Sequence, residues 1–128
     1  MNQDPNDTTD LTHRIIGLAM RVHRYLGPGL LESVYEACLC HELTQAGIPF
    51  RRQVLLPVQY DGVLLTCGYV ADIIADNQVI LELKAVDLIH KLHEAQLLTY
   101  LRLSPCRIGL LINFNTVPLT DGIRRRVL

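Results

Sequence analysis

The segment "YVADIIADNQVILELKAV", residues 69–86, places three charged side chains inside two otherwise apolar runs. The charged residues are Asp72 in the first run and Glu82 and Lys84 in the second. Both runs are rich in Val, Ile and Leu, and a polar turn separates them, so the segment predicts two strands of a covered sheet joined as a β-hairpin. Charged groups are unfavourable in such a setting unless they are paired or bind a metal. We therefore expect this hairpin to carry the functional site.

The length of the turn decides whether the two acids lie on one face of the hairpin. A three-residue loop over residues 76–78 pairs Ala75 with Val79 and places Asp72 opposite Glu82, with Cβ atoms about 5 Å apart. A two-residue loop would turn Glu82 to the other face, because side chains alternate along a strand. Asn tolerates the left-handed backbone that short loops need. Both loop lengths stay open at this point.

If the acids share a face, two carboxylates repel each other in a partly dry setting. A divalent cation between them removes the conflict, and hard oxygen ligands with open positions suit Mg²⁺ or Mn²⁺. Lys84 lies on the same face as Glu82 and would orient a water or neutralise charge on a phosphate. The alternative interpretation is that Glu82 and Lys84 form a solvent-facing pair on a half-exposed strand.

The segments on either side of the hairpin predict a single α+β domain, a mixed α/β fold with helices packed on a central sheet. The order is α-α-β-β-β-α-β, with a bulge suggested at Gly68 and a short edge element expected in the tail. Residues 1–9 are expected to form a disordered tail and residues 10–128 the domain. The predicted elements are helices over 10–26 and 30–46, strands over 51–60, 63–75 and 79–86, a helix over 88–103 and a strand over 107–114.

Composition favours a cytoplasmic protein and limits its partners. The chain of 128 residues has a net charge of −1 and no Trp, so neither a general attraction to polyanions nor stacking platforms for single strands are expected. No apolar run reaches the roughly 20 residues that span a bilayer. The first ten residues are polar and acidic, unlike a signal peptide, and the four cysteines lack metal-binding spacing. The high apolar content makes a homodimer a further expectation.

The second helix presents a polar face. Glu32, Tyr35 and Glu36 lie on that face by i, i+3 and i+4 spacing. We expect the helix to bury its other side in the core. The residues predicted for that apolar side are Leu31, Val34, Cys38 and Leu39.

The third helix carries a second group of polar side chains. Gln96 and Tyr100 are one turn apart, and His93 lies on the same face. Taken alone, this pattern is also typical of the edge of an amphipathic helix.

The combination resembles the PD-(D/E)XK nuclease superfamily: an acid on a leading helix, D…E-x-K on a hairpin and Q-x-x-x-Y on the following helix. More narrowly, "GLLESVY", residues 29–35, is similar to the signature of the GxxExxY proteins, a bacterial and archaeal group in that superfamily. The segments "ELKAV", "HEAQLLTYL" and "GLLINF" are similar to the sequences typical of the group. The resemblance extends from about residue 11 to residue 115 and implies a metal-dependent nuclease fold.

The resemblance also implies roles for the acids and the lysine. Asp72 and Glu82 correspond to the metal ligands and Lys84 to the catalytic lysine. Glu32 corresponds to the helix acid that helps to hold the metal or its water. Val70 is a departure, because the group often has Arg at this position, and the substitution weakens the expected grip on substrate phosphate.

By the same resemblance, Gln96 and Tyr100 correspond to a motif of the exonuclease-like branch, where they steady the lysine or contact the scissile strand. The implied function is Mg²⁺- or Mn²⁺-dependent hydrolysis of phosphodiester bonds, above all in DNA. Only the local groups Arg51-Arg52 and Arg124–Arg126 would then meet phosphates. The alternative is a catalytically silent module of the same fold that binds nucleic acid or a protein partner.

Overall fold

The computed structural model of the protein describes residues 9–128, which form three α-helices, seven strands and one 3₁₀ helix. The α-helices are α1 (Thr9–Leu26), α2 (Glu32–Gln45) and α3 (Lys91–Leu103), and the 3₁₀ helix is Leu119–Gly122. The strands are β1 (Phe50–Leu55), β2 (Val58–Tyr60), β3 (Val63–Leu65), β4 (Val70–Ala75), β5 (Val79–Lys84), β6 (Ile108–Asn113) and β7 (Ile123–Val127).

A five-stranded sheet in the order β1-β4-β5-β6-β7 is the centre of the fold. β5 and β6 are parallel, and the other neighbours are antiparallel. A parallel pair needs a crossover connection, and α3 lies in that connection between β5 and β6. β2 and β3 form a separate two-stranded sheet. The predicted mixed α/β class is confirmed.

Helices cover the sheet on both faces. Val79, Leu81 and Leu83 of β5 belong to the core that contains the buried side chains of α1 and α2, whereas Ile80 belongs to the core that contains those of α3. β5 is therefore buried on both faces, which explains its nearly continuous apolar sequence. Glu82 has the same parity as Ile80, so the strand directs it to the α3 side of the sheet.

Two of the predicted strands are each divided in two. The predicted strand over 51–60 is divided into β1, which ends at Leu55, and β2. Pro57 lies between them and has no N–H to donate to a neighbouring strand. The predicted strand over 63–75 is interrupted between β3 and β4, where Gly68 has a φ of +85°. The expected bulge at Gly68 is thus a break in the strand. As a result, β2 and β3 form a hairpin outside the main sheet.

The ends of the described chain agree in part with the sequence. The expected edge element is present as β7. Of the predicted disordered tail, residues 1–8 lie outside the described residues, whereas Thr9 is the first residue of α1. α3 begins at Lys91, later than the predicted residue 88. None of the helices in residues 9–128 has the length and apolar character needed to cross a bilayer.

The apolar side predicted for α2 is wrong in part. Leu31 is 73% exposed and Val34 also lies on the surface, whereas Leu39 is buried. Tyr35, predicted on the polar face, is fully buried. The helix is therefore rotated relative to the prediction, because a tyrosine ring offers more apolar surface than the valine beside it.

Tyr35 connects α2 to the turn before it. Its ring stacks on Phe114, with 4.4 Å between the ring centroids. Its hydroxyl donates to the carbonyl oxygen of Gly27 at 2.6 Å and accepts from the backbone N–H of Leu30 at 3.1 Å. The tyrosine of the "GLLESVY" segment thus satisfies backbone groups in the turn between α1 and α2.

Candidate active site

The turn of the β4–β5 hairpin has the length that brings the predicted acids together. Ala75 pairs with Val79, so the connecting loop contains three residues and the two-residue alternative is excluded. Two of the loop residues, Asp76 and Asn77, have left-handed backbones with φ values of 52° and 53°. Asp and Asn tolerate this conformation better than most residues do. The local sequence is therefore compatible with the register that the backbone pairing shows.

The backbone pairing of the hairpin ends at Ile73 and Leu81. Beyond this point, backbone N–H groups donate to carboxylate side chains of the opposite strand. The N–H of Asp72 donates to Oε1 of Glu82 at 3.0 Å, and the N–H of Leu83 donates to Oδ2 of Asp72 at 2.9 Å. Each carboxylate thus accepts a hydrogen bond from the strand that carries the other. The predicted proximity of Asp72 and Glu82 is confirmed, and both carboxylates are held by backbone groups.

Burial makes this acid pair difficult to ionise. Glu82 is 4% exposed. Its burial, followed by the charge of Asp72, raises the pKa of Glu82 to about 8. Burial also raises the pKa of Asp72. Within residues 9–128, Oδ1 of Asp72 and Oε2 of Glu82 make no hydrogen bond, so each carboxylate has one oxygen available for a cation.

Lys84 lies two positions after Glu82 on β5 and is half-buried. Burial is the main reason that the pKa values of Asp72 and Glu82 are raised. The positive charge of Lys84 acts in the opposite direction and lowers both pKa values. Lys84 forms none of the ion pairs found in residues 9–128. The ammonium group therefore influences the acid pair without contacting it and is free to meet another anion.

Glu32 lies in the first turn of α2 and shares no hydrogen bond with the acid pair. Its Oε1 accepts from the backbone N–H of Ala85 at 3.3 Å. Its negative charge adds to the effect of burial in raising the pKa values of Asp72 and Glu82. Across the part of the chain that the structure describes, no three His, Cys, Asp or Glu side chains form a metal-binding group. The structure therefore brings two of the three predicted ligands together and leaves Glu32 at the rim.

The donor set of the acid pair fits a hard divalent cation. Mg²⁺ is commonly held by one or two carboxylates, with water and phosphate oxygens completing its shell. Asp72 and Glu82 offer two such carboxylates, and a bound cation would relieve their repulsion. Zinc sites in proteins are built mainly on histidine and cysteine ligands, which this pair does not offer.

α3 places a polar pair close to the acids. Nε2 of Gln96 donates to the hydroxyl of Tyr100 at 2.8 Å, and Tyr100 is only 5% exposed. Burial, followed by the charges of Glu82 and Asp72, raises the pKa of Tyr100 to about 12. The ring of Tyr69 meets that of Tyr100 edge-on, with 5.9 Å between centroids. Gln96 and Tyr100 therefore lie beside the acid pair, although no hydrogen bond joins them to either carboxylate in residues 9–128.

Glu36 is a further buried acid whose partners were missed in the sequence. Its carboxylate accepts hydrogen bonds from Arg52 at 2.8 and 3.2 Å and from Nε2 of Gln53 at 2.8 Å. Gln53 has a left-handed backbone, φ 49°, and the register of β1 with β4 places it opposite Asp72. No local spacing signals these contacts, because α2 and β1 meet only in the folded chain. Glu36 is thereby paired with Arg52, and its negative charge still adds to the effect of burial in raising the pKa of Asp72.

A comparison with family models identifies the superfamily of the chain. The model of the PD-(D/E)XK nuclease superfamily matches residues 9–126, a range that includes α2, the β4–β5 hairpin and α3. Searches of the curated proteins and of the solved structures found no match. The mixed sheet with helices on both faces is consistent with the fold of that superfamily. The chain therefore belongs to the PD-(D/E)XK nuclease superfamily.

Proposed function

We propose that the protein is a divalent-metal-dependent nuclease that hydrolyses phosphodiester bonds in DNA, and that it belongs to the GxxExxY group. Membership of the superfamily supports a nuclease-type function on nucleic acid, and nucleases of the superfamily generally depend on a divalent metal. The observation that carries the proposal is the buried acid pair, held by reciprocal backbone hydrogen bonds and close to a lysine that forms no ion pair in the described part of the chain. A cytoplasmic location is part of the proposal, and the four free cysteines support it.

The proposed chemistry assigns separate tasks to the side chains. Asp72 and Glu82 would hold Mg²⁺ or Mn²⁺, and Glu32 would act from the rim of the site. The cation would supply Lewis acidity toward the phosphate and lower the pKa of a water. Lys84 would stabilise the negative charge that develops on the phosphate, because its ammonium forms no ion pair within residues 9–128.

Gln96 and Tyr100 would position the lysine and the substrate strand. The Gln96–Tyr100 hydrogen bond fixes both side chains at the buried end of the site. Tyr100 stays protonated at neutral pH, because its pKa is raised to about 12 by burial and then by the acids. It would therefore act as a neutral hydroxyl near the reacting phosphate and not as a base.

Affinity for nucleic acid should be weak and strongly dependent on salt. Arg52 is bound to Glu36, and both Arg124 and Arg126 are bound to Glu94, so three of the predicted phosphate contacts are engaged within the protein. Arg51 and Arg125 remain exposed. The net charge of −1 adds no long-range attraction to a polyanion.

Cleavage in the presence of different cations tests the proposal. We expect the purified protein to cut DNA with Mn²⁺ or Mg²⁺ and to lose all activity with a chelator, because the acid pair alone offers no group that activates a phosphate. Gel analysis of labelled single-stranded DNA, duplex DNA and RNA measures this result and ranks the substrates. Cleavage that persists with chelator would contradict metal dependence.

A catalytically silent binding module is the second candidate, and one observation favours it. Glu32 stays outside the ligand positions of Asp72 and Glu82, and residues 9–128 contain no group of three metal-ligating side chains. Such a module would bind nucleic acid or a protein partner without cutting. Absence of cleavage on every substrate, with Mn²⁺ bound, would favour this candidate.

We also propose that the protein forms a homodimer through the β2–β3 hairpin. Val58 pairs with Leu65 and Tyr60 with Val63, so one face of the hairpin is entirely apolar. Tyr60 is 70% exposed and Val63 is 54% exposed. A two-stranded hairpin with an uncovered apolar face is marginal in water.

The charge pattern around the hairpin favours a second copy as the partner. Residues 53–83 contain no Lys or Arg, so this surface offers nothing to the phosphates of a nucleic acid. The apolar face itself carries no charge and can therefore meet an identical face without like-charge repulsion. We infer an isologous contact between two copies of the chain.

Val63→Lys should convert the dimer to a monomer of 14.5 kDa, because it places an ammonium group at the centre of the contact. Tyr25→Lys is the matched control, since Tyr25 is 90% exposed in the groove between α1 and α2. Sedimentation or light scattering gives the mass of each variant. A monomeric wild type, or dissociation only by Tyr25→Lys, would contradict the assignment of the hairpin.

A further inference from the structure

We propose that His93, in the first turn of α3, donates its Nε2–H to a substrate phosphate and so positions that phosphate beside Lys84. This inference rests on the proposed nuclease function and adds a residue to its site. The sequence placed His93 on the polar face of α3 without a role. The inference gives it one, a hydrogen bond to the substrate.

The hydrogen bond at the start of α3 fixes the state of the ring. The backbone N–H of His90 donates to Nδ1 of His93 at 3.1 Å. A nitrogen that accepts a hydrogen bond carries no proton, so the neutral ring of His93 bears its proton on Nε2. The same bond fixes the direction in which that proton points.

Nε2 of His93 has no partner among the described residues. No hydrogen bond in residues 9–128 uses this atom, although the side chain is half-buried. A directed donor without an acceptor in the folded chain is available to a ligand. A phosphate oxygen is the acceptor that the proposed substrate would bring.

The position of His93 places this donor at the Lys84 end of the site. His93 precedes Gln96 by three residues and Tyr100 by seven, so the three side chains follow one stripe of α3. Burial, and then the positive charges of Lys84 and His90, lower the pKa of His93, whereas the charge of Glu32 raises it. Because its pKa is lowered below the ordinary value, the neutral form of the ring is favoured at pH 7, and the ring is close enough to Lys84 for that charge to act on it. Together the two residues would offer a phosphate one ammonium group and one directed N–H.

Two substitutions separate the donor from the helix-start contact. Asn at position 93 can place its Oδ1 where Nδ1 of the histidine lies and so keep the contact with His90. It has no donor at the position of the histidine Nε2–H. Gln at position 93 can present an N–H near the Nε2 position, but it loses the contact with His90. We expect His93→Asn to lose about 10- to 100-fold in kcat/KM, mainly through KM, because the hydrogen bond is made to a charged group. His93→Gln should retain most of the activity.

The opposite ranking, with His93→Asn active and His93→Gln impaired, would assign His93 to the helix start alone and overturn the inference. Equal losses in both variants, with unchanged melting temperatures, would also overturn it.

A second measurement separates this inference from the proposed function. Nitrogen-15 NMR of histidine-labelled protein, assigned with the His93→Asn variant, reports the two ring nitrogens of His93 directly. We expect the Nε2–H tautomer in the free protein and a shift of Nε2 on titration with a DNA dinucleotide. If wild type cleaves nothing while Nε2 shifts, the nuclease proposal fails and the phosphate contact stands. An Nδ1–H tautomer or an unmoved Nε2 would overturn the inference, whether or not the protein cleaves DNA.

Discussion

Lys84→Ala is expected to reduce the cleavage rate by about 100- to 1,000-fold, the usual effect of removing one group that stabilises transition-state charge. Lys84 forms no ion pair with the residues that the structure describes, and it is only half-buried, so the fold should remain intact. Metal binding should persist, because Asp72 and Glu82, and not Lys84, are the proposed ligands. Single-turnover kinetics with Mn²⁺ measure the rate, and thermal denaturation measures the stability of the same preparation.

Lys91→Ala is the matched control for this result. Lys91 is the other lysine of the chain and is exposed at the first residue of α3. Its loss should leave the rate unchanged apart from a small electrostatic effect. Equal background cleavage by wild type and Lys84→Ala would refute the enzyme and promote the binding module.

Glu82→Gln is expected to stabilise the metal-free protein and to abolish metal binding. Gln keeps the oxygen that accepts from Asp72, but it carries no charge in a site that is 4% exposed. At pH 8.5 the gain in the free energy of unfolding should be about 2–4 kcal/mol, on the basis of about 1.4 kcal/mol per unit of pKa difference. Chemical denaturation with and without Mn²⁺ measures both effects.

The pH dependence of this gain has a definite sign. Burial and then the charge of Asp72 raise the pKa of Glu82 from 4.5 to about 8 in the folded protein. The favourable contribution of protonated Glu82 is complete below about pH 4.5 and disappears as the pH rises through about 8. Metal-free wild type should therefore lose stability across this window, and Glu82→Gln should lose less.

Asp87→Asn is the control for the loss of a carboxylate. Asp87 is exposed in the segment between β5 and α3, so its neutralisation should change neither stability nor metal binding measurably. If the stability of wild type and of Glu82→Gln changed in parallel from pH 5 to pH 9, the pKa of Glu82 would not be raised in the folded protein.

The hairpin could be predicted because its determinants are local in sequence. Asp76 and Asn77 accept left-handed backbones and so predict a short loop, but the backbone pairing of Ala75 with Val79 selects three residues over two. The parity of a strand then brings Asp72 and Glu82 together. Helical spacing similarly placed Gln96 and Tyr100 on one stripe of α3. In both cases a few neighbouring residues limit the geometry to one or two arrangements.

Other features depend on contacts between distant segments and could not be predicted in this way. Tyr35 was placed on the polar face of α2, but its ring is held by Phe114 of a distant segment. Glu36 is bound by Arg52 and Gln53, which reach it only because β1 pairs with β4. Spacing along one helix contains no information on such partners. The position of Glu32 at the rim has the same origin.

The hydrogen bonds between the acids and the opposite strands have a consequence for the order of events during folding. Because Glu82 accepts from Asp72 and Asp72 accepts from Leu83, the acid pair is assembled in the same step that closes the hairpin. This contact is local in sequence, and contacts of that kind form rapidly. Like-charge repulsion therefore opposes chain closure before the ligand positions exist for a cation. A chain that folds without a cation meets this repulsion at any pH well above 4.5, the ordinary pKa of Glu82, and escapes it only when Glu82 takes up a proton as the hairpin closes.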